Sequence, residues 1–110
     1  MTPRRIQRKR TKGWRMLPGA VYVGRPSKWG SPYHVVREYD EWLVCRLGWF
    51  VSHHSTRIEA QAEAVARWEK YIWPRLREAA KRELAGKHLC CWCRIGDPCH
   101  GDIMLKEING

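Results

Sequence analysis

The chain has 110 residues and a formal net charge of +10 at pH 7. That length accommodates one ordinary domain and excludes two. Hydrophobic residues make up 44% and charged residues 29%, as in folded soluble proteins, which excludes a globally disordered chain. No apolar run is long enough to span a membrane, and no secretory signal is present, so we expect a cytoplasmic protein whose five cysteines are not paired in disulfides.

The positive charge is concentrated at the N-terminus. Residues 1–15 hold seven basic side chains and no acidic one, whereas residues 16–110 hold 14 basic and 11 acidic side chains. The seven are Arg4, Arg5, Arg8, Lys9, Arg10, Lys12 and Arg15. Because like charges repel, we expect residues 1–15 to form a flexible arm and residues 16–110 to form a single domain. Such an arm suits contact with the phosphates of DNA or RNA, and it equally suits a solvated tail.

The first half of the chain favours strands. Residues 20–23 are β-branched and aromatic, which predicts a buried strand, and residues 25–32 contain two prolines and a glycine, which predicts a rigid loop. Residues 41–46 and 49–53 are strand-like and flank Leu47-Gly48. This pattern predicts a β-hairpin with a two-residue turn.

The second half favours helices around one more strand. Thr56 and Glu59 match a capping box, and the apolar spacing that follows predicts an amphipathic helix over residues 57–73. Pro74 suits the start of a second helix, over residues 75–85. The apolar run at residues 88–93 predicts a second buried strand, and a short helix is predicted after the Cys-His-Gly-Asp run that follows it.

This order of elements predicts an α/β or α+β fold, with a short, mainly parallel sheet, the β-hairpin and flanking helices. We expect the strands at residues 20–23 and 88–93 to be adjacent and parallel. The loops that follow them would then meet at the carboxyl ends of the strands, where ligands bind in open α/β sheets. These two loops form the candidate site.

The first loop offers groups that suit a phosphate-bearing ligand. Arg25 and Lys28 supply positive charge, Ser27 supplies a hydroxyl, and Trp29 supplies a flat surface on which a base can stack. Ser31 completes this candidate set. The expected ligand is a nucleotide or a nucleic acid.

The second loop is rich in thiols. Cys91 and Cys93 are two residues apart on a predicted strand, so their side chains point to the same face. With Cys99 and His100 they make a chemically sound zinc set, although the spacing departs from common zinc motifs. The alternatives are an unreactive cluster of packed thiols, or a catalytic Cys99 or His100 at a helix start. Asp102 would orient His100, accept a proton or simply favour the helix dipole.

Both loops carry motifs that resemble those of an uncharacterised family. The motifs are the run Gly-Arg-Pro-Ser-Lys-Trp-Gly from Gly24, the Cys-Trp-Cys of residues 91–93 and the Cys-His-Gly-Asp of residues 99–102. They resemble the domain of unknown function 4326, a family of bacteriophages and bacteria, over roughly residues 18–108, with the basic arm outside. The resemblance implies a small, phage-encoded cytoplasmic α/β domain with one site made by the two loops. Ser31 and Cys90 replace the Asn and Ala that are usual in the family.

Three functions remain open from the sequence. The first is binding of a phosphate-bearing ligand, a nucleotide or nucleic acid. The second is an enzyme that processes a nucleotide or base through Cys99 or His100. The third is a phage protein that binds and inhibits a host protein. None of them involves a membrane, and the sequence indicates no oligomeric state.

Overall fold

The computed structural model describes residues 2–109, in which there are six strands and three helices. The strands are β1 (Arg5–Gln7), β2 (Ala20–Tyr22), β3 (Tyr33–Glu38), β4 (Glu41–Arg46), β5 (Trp49–His54) and β6 (His88–Cys91). The helices are α1 (Arg57–Tyr71), α2 (Trp73–Leu84) and α3 (His100–Asn109). The fold is a small α+β domain with one parallel and one antiparallel sheet, each of three strands, and this confirms the predicted fold class.

The parallel sheet has the order β1-β6-β2. The predicted pairing of β2 with β6 is confirmed, with Val21 opposite Leu89. All four residues of β6 are buried, as expected for a central strand with a neighbour on each side. The three strands run in the same direction, so Gln7, Tyr22 and Cys91 end them along one side of the sheet. We call this side the carboxyl edge.

The prediction of a flexible arm over residues 1–15 is wrong for β1, which lies inside that segment. Arg5–Gln7 pair with β6 in parallel. The Leu89 N–H donates to the Arg4 carbonyl oxygen at 3.1 Å, and the Arg8 N–H donates to the Cys91 carbonyl oxygen at 2.8 Å. These backbone hydrogen bonds hold the basic segment against the central strand.

Arg5 shows why repulsion between like charges does not keep this segment away from the sheet. Its side chain is only 3% exposed, and its Nε lies 3.2 Å from Asp102 Oδ1. Its Nη2 donates to the Arg94 carbonyl oxygen at 2.7 Å. The charge of Arg5 is therefore compensated inside the fold, which is how a buried arginine is tolerated.

The antiparallel sheet has the order β3-β4-β5. The predicted hairpin is confirmed: β4 and β5 flank Leu47 and Gly48, whose φ angles of 50° and 87° are those of a type I′ turn. Strand β3 was not predicted from the sequence. It pairs with β4 along its whole length, from Tyr33 opposite Arg46 to Glu38 opposite Glu41.

The helices cover the sheets and complete the core. The predicted capping box is confirmed in its first half, since Thr56 Oγ1 accepts the Glu59 N–H at 3.1 Å. Helix α1 packs against β3 and β4, and Pro74 lies in the first turn of α2 as predicted. Trp68 and Trp73 are fully buried and stack with ring centroids 5.5 Å apart. Within residues 2–109, no helix is long and apolar enough to cross a membrane.

Candidate functional site

A cavity lies where the carboxyl edge meets β3. It consists of two adjoining pockets of about 230 and 270 Å³. The residues that line both are Arg25, Ser31, Tyr33, Cys93 and His100. The first pocket extends to Gln61 of α1, and the second extends to Tyr22 and Trp92. No carboxylate lines either pocket in the described part of the chain. The two predicted loops therefore do meet over one cavity.

Three cysteine sulfurs converge at the wall of this cavity. The Sγ atoms of Cys91, Cys93 and Cys99, which we call the thiol cluster, lie within 4.8 Å of one another. Those of Cys91 and Cys93 are 3.8 Å apart. Sulfurs bound to zinc at about 2.3 Å in a tetrahedron lie about 3.8 Å from each other. The thiol cluster can therefore hold a metal ion.

Hydrogen bonds within the thiol cluster make the three thiols unequal. Bonding to Cys93 and then to Cys99 lowers the pKa of Cys91 far below that of an ordinary thiol. The same bonding to Cys91 raises the pKa of Cys93 and of Cys99. The thiolate is therefore favoured at Cys91. Thiolates are the form of cysteine that binds metal.

His100 does not join the thiol cluster as the predicted fourth ligand. Its Nε2 donates to the Val23 carbonyl oxygen at 2.8 Å, and its ring lies 5.1 Å from that of Trp68. The group of potential metal ligands found within residues 2–109 contains the three cysteines alone. His100 thus ties the start of α3 to the end of β2. A zinc ion held by three protein ligands keeps one position for water or a ligand.

Arg5 places a positive charge beside the thiol cluster. A Cβ atom at Gly101 would lie 3.2 Å from Arg5 Cδ and 3.6 Å from Cys99 Sγ, so the arginine stem and this sulfur both border Gly101. Arg5 Nη1 is buried and has no hydrogen-bond partner among the described residues. The guanidinium favours thiolates electrostatically. Asp102 pairs with Arg5, and this contact replaces the predicted one with His100.

The first loop is folded tightly and presents Arg25. The Tyr22 hydroxyl donates to the Arg25 carbonyl oxygen at 2.6 Å. The Ser27 N–H donates to the Gly24 carbonyl oxygen at 2.9 Å, and the Gly30 N–H donates to the Ser27 carbonyl oxygen at 3.0 Å. A Cβ atom at Gly24 would lie 2.5 Å from the Tyr22 hydroxyl oxygen, so any larger residue there would displace the Tyr22 side chain. The Oγ of Ser27 is buried without a hydrogen-bond partner in the described structure, and Ser27 lines neither pocket.

Only part of the predicted phosphate-binding set reaches the cavity. Arg25 and Ser31 line it, whereas Lys28 and Trp29 do not. Lys28 Nζ lies 2.6 Å from Glu83 Oε1 and 4.7 Å from the Trp29 ring centroid. Trp29 is 4% exposed and belongs to the hydrophobic core, so the prediction that it offers a stacking surface is wrong.

Three aromatic residues of the site were not predicted from the sequence. Tyr22, Tyr33 and Trp92 line the second pocket. Trp92 lies between two members of the thiol cluster, within the run of residues 88–93 that was predicted as a buried strand, and this position between the cysteines was the available signal. Arg8 and Arg10 approach its ring, whereas the remaining basic residues of the N-terminal segment other than Arg5 are exposed. These are Arg4, Lys9, Lys12 and Arg15.

The sequence that forms this site matches the pattern of a known family. The pattern of the family described as Domain of unknown function (DUF4326) matches residues 6–110. The expectation that the whole basic arm lies outside the family is therefore wrong, in agreement with the position of β1 in the sheet. No curated protein and no solved structure matches the chain. The match extends over almost the full length and includes both loops, so the chain belongs to the DUF4326 family.

Proposed function

We propose that this protein holds a zinc ion on the thiol cluster and binds a phosphate-bearing ligand, a nucleotide or nucleic acid, in the adjoining cavity. One observation carries the proposal. The sulfurs of three cysteines converge within 4.8 Å at the wall of a cavity that Arg25 also lines. The cavity thus combines metal-binding thiols with an anion-binding side chain.

Zinc is the metal that best suits the thiol cluster. Soft thiolate ligands at tetrahedral spacing select zinc over harder cations such as magnesium and calcium. Three thiolates and Zn²⁺ carry one net negative charge, which the neighbouring guanidinium of Arg5 stabilises although Asp102 also pairs with it. A cytoplasmic location, where thiols stay reduced, would keep all three available to the metal.

The electrostatics of the cavity support an anionic ligand. Arg25 is exposed and forms no ion pair in the described part of the chain, so its guanidinium is available to a ligand. No Asp or Glu lines the cavity in the described part of the chain, so no carboxylate there would repel a phosphate. Arginine binds phosphate through two parallel hydrogen bonds, which are among the stronger hydrogen bonds in proteins.

Isothermal titration calorimetry with adenosine 5′-monophosphate (AMP) tests the proposal on the zinc-loaded chain. We expect AMP to bind, and Arg25→Gln to weaken binding by about tenfold or more, since a charged hydrogen bond is removed. Arg75→Gln is the matched control, because Arg75 is exposed on α2 and lines neither pocket. Equal affinities of the two variants for AMP would contradict the assignment of Arg25.

The enzymatic alternative has one observation in its favour. His34 lines the first pocket together with Cys93 and Cys99, and its Nδ1 is buried without a hydrogen-bond partner in the described structure. A free imidazole nitrogen beside a zinc-binding cluster suits proton transfer to or from a bound nucleotide. Mass spectrometry of nucleotides incubated with the zinc-loaded chain tests this function. Products that His34→Gln abolishes would support it, and unchanged nucleotides would reject it.

A further inference from the structure

A patch of arginine and aromatic side chains borders the cavity at the carboxyl edge. It consists of Arg8, Arg10, Tyr22 and Trp92, and we call it the Arg-Trp patch. The guanidinium carbon of Arg8 lies 4.6 Å from the Tyr22 ring centroid and 5.1 Å from that of Trp92. That of Arg10 lies 4.6 Å from the Trp92 centroid. Tyr22 and Trp92 also line the second pocket, so the patch is continuous with the cavity.

The backbone fixes the position of this patch. Arg8 directly follows β1, and its N–H donates to the Cys91 carbonyl oxygen at 2.8 Å. Trp92 directly follows β6, and Tyr22 is the last residue of β2. Because the three strands are parallel neighbours, their ends bring these side chains together. The arrangement therefore exists before any ligand arrives.

The patch retains unused binding capacity. Trp92 is 38% exposed although it follows the buried central strand. Neither Arg8 nor Arg10 pairs with a carboxylate within residues 2–109. A contact between an arginine and an exposed aromatic ring contributes only about 0.5–1 kcal/mol, so a ligand can displace it readily. An exposed indole flanked by two unpaired guanidinium groups suits a base with its phosphates.

We propose that the Arg-Trp patch binds single-stranded nucleic acid. One base stacks on the Trp92 indole in place of the Arg10 guanidinium, which then turns to an adjacent phosphate. Arg8 holds a neighbouring phosphate, and the strand continues into the cavity. This inference rests on the proposed function, because it names the ligand of the same cavity.

A single strand fits this patch better than a duplex. Stacking on Trp92 requires a base with a free face, and the faces of bases within a duplex are covered by their neighbours. A duplex would contact the arginines through phosphates alone. The contribution of Trp92 therefore separates the two ligands, and single-stranded DNA and RNA share the chemistry that the patch recognises.

Fluorescence anisotropy with labelled oligonucleotides of about 12 nucleotides, a length within the range of known single-strand sites, tests the stacking contact. The probes are single-stranded DNA, single-stranded RNA and duplex DNA, each with the full zinc-loaded chain. We expect Trp92→Leu to weaken single-strand binding by about tenfold, as removal of one stacked base does, and duplex binding by less than about twofold. Trp49→Leu is the control, since Trp49 is 80% exposed at the hairpin, and we expect no change. Equal single-strand affinities for the two variants would overturn the proposal.

A charge-matched pair of variants separates the patch from general attraction by the basic segment. Arg8→Gln with Arg10→Gln, and Lys9→Gln with Lys12→Gln, each remove two positive charges from the same segment. We expect the arginine variant to weaken single-strand binding several-fold more. It should also reduce the salt dependence, by about 0.7 in the logarithmic slope for each phosphate that the protein no longer neutralises. Identical affinities of the two double variants would show general attraction only and would overturn the patch.

Zinc and AMP binding by the unmodified chain distinguish failure of this inference from failure of the proposed function. The zinc content of the Trp92→Leu protein is the control for its fold, and we expect it to match that of the unmodified chain. If the unmodified chain binds zinc and AMP but no single-stranded nucleic acid, the Arg-Trp patch is overturned and the proposed function is retained. Single-strand binding that depends on Trp92, in a chain that binds neither zinc nor AMP, would support the patch and contradict the proposed function. Arg10→Gln alone provides a second variant at an exposed position, where the fold is not at risk.

Discussion

The parallel and antiparallel sheets contribute differently to the molecule. The parallel sheet has strands of three or four residues, and its carboxyl edge carries the thiol cluster and the Arg-Trp patch. The antiparallel sheet has three strands of six residues. It contributes Tyr33 and His34 to the cavity wall and exposes Leu47 and Trp49 at its hairpin. The chemistry is therefore concentrated on the smaller sheet.

The two sheets also differ in how they assemble. The strands β3, β4 and β5 are consecutive, so short turns bring them together. The strands β1, β2 and β6 come from opposite ends of the chain, and Arg5 pairs opposite Leu89. Distant pairings cost more loop-closure entropy, so the parallel sheet depends more on specific contacts. We expect zinc and Arg5 to supply those contacts, and the following variants test this difference.

The largest effect is expected from removal of the metal. Cys93→Ser removes one member of the thiol cluster and should abolish the stabilisation that zinc provides. That stabilisation is about 4 kcal/mol when free zinc is about 1,000 times its dissociation constant. Urea unfolding with and without zinc measures it. Cys45→Ser, in the antiparallel sheet, should retain the full stabilisation by zinc. An equal loss of this stabilisation in both variants would contradict a specific zinc site at the thiol cluster.

The second largest effect is expected from removal of the buried guanidinium of Arg5. Arg5→Met removes the contacts to Asp102 and to the Arg94 carbonyl oxygen, and should lower the free energy of unfolding by about 2–3 kcal/mol. Arg4→Met changes an exposed neighbour and should alter it by less than about 0.5 kcal/mol. Urea midpoints provide the comparison. Similar midpoints for the two variants would show that Arg5 does not hold β1 in the sheet.

A smaller effect is expected from alanine in the loops. Gly24→Ala forces a Cβ against Tyr22 and should cost about 1–3 kcal/mol, and AMP affinity should fall because Arg25 shifts. Gly48→Ala, at φ +87° in the hairpin turn with nothing within 4 Å of the added Cβ, should cost about 1 kcal/mol through backbone strain. AMP affinity should not change in this variant. Equal affinities of Gly24→Ala and Gly48→Ala for AMP, measured by calorimetry, would argue against a fixed first loop.

The smallest effect is expected at the start of α1, which packs against the antiparallel sheet. Thr56→Ala removes the acceptor of the Glu59 N–H and should cost about 1 kcal/mol, with zinc content unchanged. Thr56→Ser retains the hydroxyl and should restore most of the stability. Thermal unfolding of the two variants checks the cap, and a lower zinc content in Thr56→Ala would contradict the separation of the two regions.

Local signals predicted the elements that depend on local physics. The turn at Leu47-Gly48 and the cap at Thr56 follow from neighbouring residues, and the pairing of β2 with β6 follows from topology rules. Strand β1 was not predicted because it has only three residues and lies in a segment with seven basic residues, which favoured a flexible arm. Its partner strand lies more than 80 residues away, so no local pattern indicates the pairing. Strand β3 was missed because its second half is exposed and ends in the charged residues Arg37 and Glu38.

The positions of individual side chains within the site were harder to predict from the sequence. The proximity of Cys91 and Cys93 was predicted from the alternation of a strand, and Cys99 was named with His100 as a candidate member of the same set. The burial of Trp29 and the hydrogen bond from His100 to Val23 were not predicted. Both depend on how α3 and the first loop pack over the sheets, and no short sequence pattern encodes that packing.

Native mass spectrometry of the full chain, loaded with zinc and mixed with AMP, tests the central claim most directly. We predict one species with the mass of the chain plus one zinc ion, less the protons displaced from the thiols. We predict a second species heavier by one AMP molecule, which Arg25→Gln diminishes. A chain that retains its bare mass after addition of zinc and AMP would contradict the account.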